Sequence, residues 1–391
     1  MLSSKRRIIV FIISYLAYSA VYFSRVNLTM ANPYLVDMGL LTTENIGLLG
    51  GAFSAVFASG RLINGVLSDK TPPWLMISGG LLISGVCNVA IGFFPPFIAI
   101  FLLWSANAFA QSMLWGALIS VMSTIYDEQT AKKRTAFLST TVAVGNIAGI
   151  IICSALILRL GVRFAFIVPG AVTLVLAAAV FLAMGSIVPE RNEKRHLSVF
   201  QLLSKREIRL ISIPAAIHGV MKENISIWMT VYVIDTYGVD MGSSAYFLLL
   251  IPAFGFVGRV VHAVFYRIFG ENEHAVSILG FVLIGVFSLL CLIKVSAIYG
   301  IVCLTAIYAA VSLVNTSFLS IYPIRYRSEG NVSSVSGVLD FVTYLGASLS
   351  AVLYGYVIGP LGYGSMFISW ALLVVPAIIV LLPFSKKEKR I

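Results

Sequence analysis

Four basic residues sit where the chain is otherwise apolar: Arg25, Arg61, Lys222 and Arg259. They come in pairs. Positions 25–29 read Arg-Val-Asn-Leu-Thr and positions 222–226 read Lys-Glu-Asn-Ile-Ser, a basic-x-Asn-aliphatic-hydroxyl pattern repeated after 197 residues. Gly60-Arg61 recurs as Gly258-Arg259 after 198. A charge near the centre of a bilayer costs roughly 2.5–3.5 kcal/mol on insertion scales, so four of them need counter-charges. The apolar spans offer two acids, Glu223 and Asp340, which leaves positive charge in excess. The chemistry this points to is capture of an anion. A dianion such as a phosphate monoester fits the balance better than a monocarboxylate. Arginine presents a planar fork that matches phosphate oxygens, and lysine a point charge.

The neighbours of these cations extend the candidate site. Tyr18, Tyr22 and Arg25 are spaced four and three, so they share one helix stripe. His218 lies one turn before Lys222, either as a satisfied polar contact or as a proton-sensing group. Asn107, Gln111, Trp115, Asn146, Asn315 and Tyr344 are polar or amphipathic positions inside apolar runs. Each is a candidate cavity residue or a helix–helix hydrogen-bonding group. Arg61 and Arg259 stand eight residues from Asp69 and Arg267, about 12 Å along a helix. That leaves snorkelling or structural pairing open for both. Gly65 through Lys70 reads as a cytoplasmic gate, with Gly65 allowing close approach and Asp69 and Lys70 making contacts that break on switching.

The elements that carry these residues follow from composition. Of 391 residues, 59% are hydrophobic and 11% charged, against about 25% charged in an ordinary soluble domain. A soluble fold needs a wetted exterior this chain lacks, so cytosolic enzymes, disordered proteins and disulfide scaffolds are excluded. Apolar runs define twelve spans, from 8–35 to 364–384, each near the ~20 residues that cross a bilayer. A polar stretch divides them six and six, giving an N-terminal bundle 1–187, a linker 188–209 and a C-terminal bundle 210–391. The fold class expected is all-α and membrane-integral. Cys87, Cys153, Cys291 and Cys303 lie in apolar runs, with no metal-ligand spacing, and read as small core residues.

Charge placement sets the orientation. With both termini cytoplasmic, inside ends and loops hold twenty Lys and Arg, and outside loops hold Arg159, Arg163 and Lys294. The net charge of +11 is then a cytoplasmic bias, not a nucleic-acid surface. The basic N-terminal segment belongs to the fold and is not read as a cleaved leader, because it has a counterpart in mid-chain. A third match, Ala-Leu-Ile-Ser at 117–120 with Ser-Phe-Leu-Ser at 317–320, keeps the order at an offset of 200. Two parallel six-helix repeats describe the major facilitator architecture, with substrate between the halves at mid-membrane. No nucleophile–base pair, metal cluster or nucleotide loop argues for an enzyme, and no cofactor is expected.

Tyr-Ser-Ala-Val-Tyr-Phe-Ser-Arg-Val-Asn at 18–27, Asn32-Pro33-Tyr34-Leu35, Gly65–Lys70 with Trp74-Leu75, and Lys222 with Trp228 resemble the organophosphate:phosphate antiporters of the major facilitator superfamily. That family includes glycerol-3-phosphate, hexose-phosphate and glucose-6-phosphate transporters. The resemblance implies a phosphate clasp of Arg25 and Lys222, lined by Tyr18 and Tyr22, with Arg61 at the family's second-helix basic position. It also implies organic phosphate and inorganic phosphate as substrates, rocker-switch exchange, and a monomer in the plasma (inner) membrane. Three departures stand out. Lys222 replaces the family's usual arginine. Gly145 stands where glycerol-phosphate members carry a histidine. Leu114-Trp115-Gly116 stands near the place of a Gly-Trp-Pro-Pro run. Arg-Val-Asn-Leu also resembles hexuronate-type anion:cation symporters, which carry an acid where this chain has Ser24. A transport-inactive sugar-phosphate sensor is the third reading.

Overall fold

The computed structural model describes residues 3–185, 197–239 and 241–386; part of the predicted 188–209 linker lies outside them. The helices are α1 (Ser4–Asp37), α2 (Thr43–Lys70), α3 (Pro73–Ile91), α4 (Phe97–Ser112), α5 (Leu114–Ile125), α6 (Glu128–Leu138), α7 (Thr141–Leu160) and α8 (Phe164–Met184). After them come α9 (Val199–Ser204), α10 (Arg206–Tyr237), α11 (Met241–Ile268), α12 (Glu273–Leu290), α13 (Ala297–Asn315) and α14 (Val332–Lys386). A π-helical turn, Thr316–Ile321, and a 3₁₀ stretch, Tyr322–Glu329, join α13 to α14. Among the described residues no strand occurs.

Local chemistry starts these helices where the sequence places polar caps. Ser3 Oγ accepts from Arg6 N at 3.4 Å to open α1. Asp127 accepts from Thr130 N at 2.9 Å to open α6, and the hydrogen bonds from Thr130 hold its carboxyl below the usual range. Asn272 Oδ1 accepts from His274 N and Ala275 N, both at 3.0 Å, to open α12. These side chains satisfy donors that have no partner within the helix.

Among the described residues, eight helical stretches are long and apolar enough to cross a membrane. One, Val332–Lys386, holds the last two predicted spans in a single run, broken in backbone conformation at Gly362, where φ is 70°. Three helices at predicted spans, α2, α10 and α11, fall outside that group. They carry Arg61, Lys222 and Arg259. The fourth span is two helices, α4 and α5, joined at Met113, and the fifth is α6 and α7, joined through Ser139 and Thr140.

The chain forms two compact units. One comprises 1–199 with 323–338, the other 200–322 with 339–391. Within the first unit α1 packs on α7 and α8, α3 on α8 and α4, and α2 on α4. Within the second, α13 packs against α10, α11 and α12. The repeat is visible in a paired packing detail. A Cβ on Gly60 would meet Ser112, whose own Cβ would be 3.0 Å away; a Cβ on Gly258 would meet Ala309 O and lie 2.9 Å from Ser312 Cβ. Ser112 and Ser312 are themselves 200 apart. In each unit a glycine beside the arginine lets one helix lie directly on its neighbour. All four cysteines are free and buried.

Candidate binding site

The first unit gathers Tyr18, Tyr22, Arg25 and Arg61 into one cluster. Arg25 and the two tyrosines lie on α1, and Arg61 comes from α2. The guanidinium of Arg25 is 5.2 Å from the ring centroid of Tyr22, 4.7 Å from Phe53 and 4.3 Å from Phe57. Its Nε donates to Gln111 Oε1 at 3.2 Å. Among the described residues no carboxylate lies within ion-pair distance of it. Arg61 is 6% exposed. Its Nη2 donates to Tyr18 Oη at 3.0 Å, and its guanidinium lies 5.0 Å from Phe57. Arg61 is therefore turned to the interior beside α1, rather than snorkelling. Phe57 stands next to both cations. Tyr18 meets Tyr22 edge-on at 5.5 Å and lies 4.8 Å from Trp115. Cations over aromatic faces gain attraction without neutralisation, so the rings hold the Arg25 guanidinium while leaving it charged.

Phe53, Phe57 and Arg61 form a stripe at steps of four on α2, the partner of the Tyr18–Tyr22–Arg25 stripe on α1. Sequence reading passed over it, because phenylalanine gives no contrast inside an apolar span. Asn146, on α7, donates from Nδ2 to Val142 O of its own helix at 2.6 Å. Gly145 is packed hard. A Cβ there would strike Ser19 O and come 2.7 Å from Tyr22 Cβ. The histidine that glycerol-phosphate members carry has no room at this backbone spacing.

The second unit places the other expected residues. Lys222 Nζ is 3.7 Å from Glu223 Oε1 and 5.0 Å from the ring of Tyr344. His218 is fully buried one turn earlier on α10, where Gly219 lies against Thr343 O of α14. Asp340 is buried on the same helix as Tyr344. Arg259 is 5% exposed, and its Nη1 would come 3.0 Å from a Cβ on Gly255. His262 Nε2 is 3.1 Å from Ser317 Oγ in the π-helical turn and its ring stacks on Tyr266. Glu273, which the sequence put just ahead of a span, is completely buried in the first turn of α12.

The predicted gate residues meet the start of α14. Asp69 Oδ1 accepts from Ser333 N at 2.9 Å and Asp69 Oδ2 from Ser334 N at 2.7 Å. A carboxylate at a helix N-terminus satisfies orphan donors and faces the positive end of the dipole. Burial pushes the Asp69 carboxyl above its ordinary range, and it outweighs the hydrogen bonds, which pull the other way. Ser333 Oγ donates to Gly116 O at 2.8 Å. A Cβ on Gly65 would lie 2.8 Å from Ser333 O and 3.0 Å from Gly337 Cα, so backbone meets backbone there. Lys70 closes α2 as an exposed residue.

Repeated apolar helices that hold cations in their interior define a membrane-embedded carrier of solutes. A family model described as Major Facilitator Superfamily matches residues 11–351, and the chain belongs to that family, one of transporters and not enzymes. The membrane sensor protein UhpC of Salmonella typhimurium is 26% identical over 272 residues, covering 63% of this chain and 61% of that protein. The alignment thus spans about three fifths of that relative. The phosphoglycerate transporter protein of the same organism is 24% identical over 399 residues, covering 90% of this chain and 84% of its own. A crystal structure of the major facilitator FucP in the outward conformation matches with a TM-score of 0.79 at 14% identity, over 96% of this chain and 98% of that one. That match shows the fold. The relatives bear out the resemblance to organophosphate:phosphate antiporters.

Proposed function

We propose that this protein is a secondary transporter of phosphorylated organic anions, a sugar phosphate or glycerol phosphate, exchanging them for inorganic phosphate by rocker-switch alternating access. The observation that carries the reading is Arg25. It sits deep in α1, faces three aromatic rings and has no carboxylate beside it among the described residues. A cation held in this way retains its full attraction for an arriving anion. Lys222 supplies the second charge of the clasp, tuned by Glu223 and Tyr344. Tyr18, Tyr22, Asn146 and Tyr344 line the ligand. Arg61, Arg259, His218 and Asp340 shape the field around it. Gly65, Asp69 and Lys70 act as the cytoplasmic gate. The relative named for phosphoglycerate transport supports a phosphorylated ligand. The protein acts as a monomer in a plasma membrane, with both termini and the 188–209 linker cytoplasmic.

Counterflow tests this. Proteoliposomes loaded with phosphate should accumulate labelled glycerol 3-phosphate, glucose 6-phosphate or phosphoglycerate, and should do so only with phosphate inside. Accumulation of glucuronate driven by a proton gradient would favour a hexuronate-type symporter instead. The sensor relative motivates a second reading, in which the protein binds a sugar phosphate without moving it. Binding without counterflow would select that reading.

A further inference from the structure

A closed ring of buried hydrogen bonds leaves α1 at Arg25 and returns to it two residues later. Arg25 Nε donates to Gln111 Oε1 at 3.2 Å. Gln111 Nε2 donates to Asn107 Oδ1 at 3.1 Å. Asn107 Oδ1 also accepts from Ser84 Oγ at 2.6 Å and from Asn88 Nδ2 at 3.4 Å. Asn88 Oδ1 accepts from Asn27 Nδ2 at 2.7 Å. Ser84, Asn88, Asn27, Asn107 and Gln111 are all fully buried.

The ring has a direction. Asn88 Nδ2 donates to the backbone carbonyl of Ser84 at 2.9 Å, a point that cannot rotate. That bond turns Asn88 Oδ1 towards Asn27. The donors converging on Asn107 Oδ1 fix that amide in turn, and Gln111 must then present its carbonyl, not its amine, to Arg25. Asn107 Nδ2 is left without a partner, but turning Asn107 over would set donor against donor at Asn88, and turning Gln111 over would do so at Arg25, so the low dielectric favours the arrangement seen.

We propose that Gln111 is a positioning residue for anion binding. By accepting the Nε–H of Arg25 it removes one of the two bidentate edges of the guanidinium and leaves the Nη1–Nη2 edge to grip the ligand's phosphate end-on. The three rings hold the planar group from its faces, and Gln111 sets its rotation within that plane. The acceptor must be neutral, since a carboxylate in the same place would pair with the cation and compete with the ligand. At the offset of 200 that pairs Ser112 with Ser312, the place of Gln111 is taken by Val311, which carries no side-chain acceptor. That fits the second half's cation being Lys222, because an ammonium is a point charge with rotatable donors and needs no planar orientation.

This inference rests on the reading that Arg25 binds the transported anion. Its test is binding of glycerol 3-phosphate and glucose 6-phosphate to the purified full-length protein. Gln111→Met keeps length and volume without polar ends, and should weaken binding about tenfold. In an Arg25→Gln background the same change should cost nothing further. Gln111→Glu gives the diagnostic signature. Its carboxylate should pair with Arg25 and depress affinity well below that of Gln111→Met throughout roughly pH 6–8, because the guanidinium holds a neighbouring glutamate ionised over that range. Affinity in Gln111→Glu no lower than in Gln111→Met, or an undiminished loss from Gln111→Met without Arg25, would overturn the proposal. If wild type binds neither probe, the transport reading fails, and a cryo-microscopy structure of Gln111→Met decides this one. A displaced guanidinium would support it, and one left in place would sink it.

Discussion

Arg61 and Tyr18 are joined by a hydrogen bond of 3.0 Å from guanidinium to phenol. The bond ties the second cation of the first unit to the stripe that carries the first. It also separates two residues that the internal repeat treats as equivalent. Arg61 shares Phe57 with Arg25, whereas Arg259 lies over Gly255 beside α13. Arg61→Ala is therefore expected to lower exchange more than Arg259→Ala. Tyr18→Phe, which removes one acceptor and keeps the ring, should fall between Arg61→Ala and wild type. Initial rates in proteoliposomes at matched protein density check the order, and equal rates for the two arginine variants would refute it.

Arg25→Gln and Lys222→Gln should each weaken sugar-phosphate binding about ten- to a hundredfold, the value of one charge-assisted hydrogen bond of roughly 1.5–3 kcal/mol. Lys222→Arg should be tolerated better than Lys222→Gln. Titration calorimetry on folded, monodisperse protein decides it. Unchanged affinity in both glutamine variants would make the residues structural.

Asp69→Ala leaves Ser333 N and Ser334 N without their acceptor, and should destabilise that contact by about 1–3 kcal/mol. A cysteine replacing the buried Ser336 reports on it. Its maleimide labelling should accelerate at least about fivefold when Asp69 is changed. Labelling at the same rate would show that Asp69 does not hold the segment.

Gly145→Ala should lower thermal stability by about 1–3 kcal/mol, because the added methyl meets Ser19 O and the Tyr22 Cβ. Gly145→His should lower it further. A thermal melt that does not move would show that α1 can shift away from α7 at little cost.

The charge bias predicts that a cysteine at Gln129 is shielded from impermeant reagents in intact cells and that one at Met38, 54% exposed, is labelled. The reverse pattern would invert the topology.

Much of this was legible from residue type and spacing. Charges isolated in apolar runs singled out Arg25, Arg61, Lys222 and Arg259, and the repeat paired Gly60 with Gly258, whose packing contacts match. What escaped did so for physical reasons. Phe53 and Phe57 are indistinguishable from core in an apolar helix, although their step of four to Arg61 was a usable signal. Gln111 was recognisable as a polar group in a membrane helix, but its partner on α1 is 86 positions away. Asp69 and Ser333 are 264 apart, beyond any periodicity. The breaks at Met113 and Ser139 carry no proline or glycine, so the fourth and fifth spans looked continuous. Glu273 sits at a span boundary, where apolar runs say little about depth.

Gly65 and Gly337 meet as bare backbone, and this bears on speed. Interleaved side chains must change rotamer, or slide past one another through poorer packing, before two helices can part. Two glycine surfaces have no rotamers to reset and little apolar area to expose. Such a contact can be tight without being slow to release, giving a bearing of low friction where the proposed gate would open in every cycle. Bulk added at either glycine would act as a brake, lengthening the time per turnover even where the protein still folds and still binds.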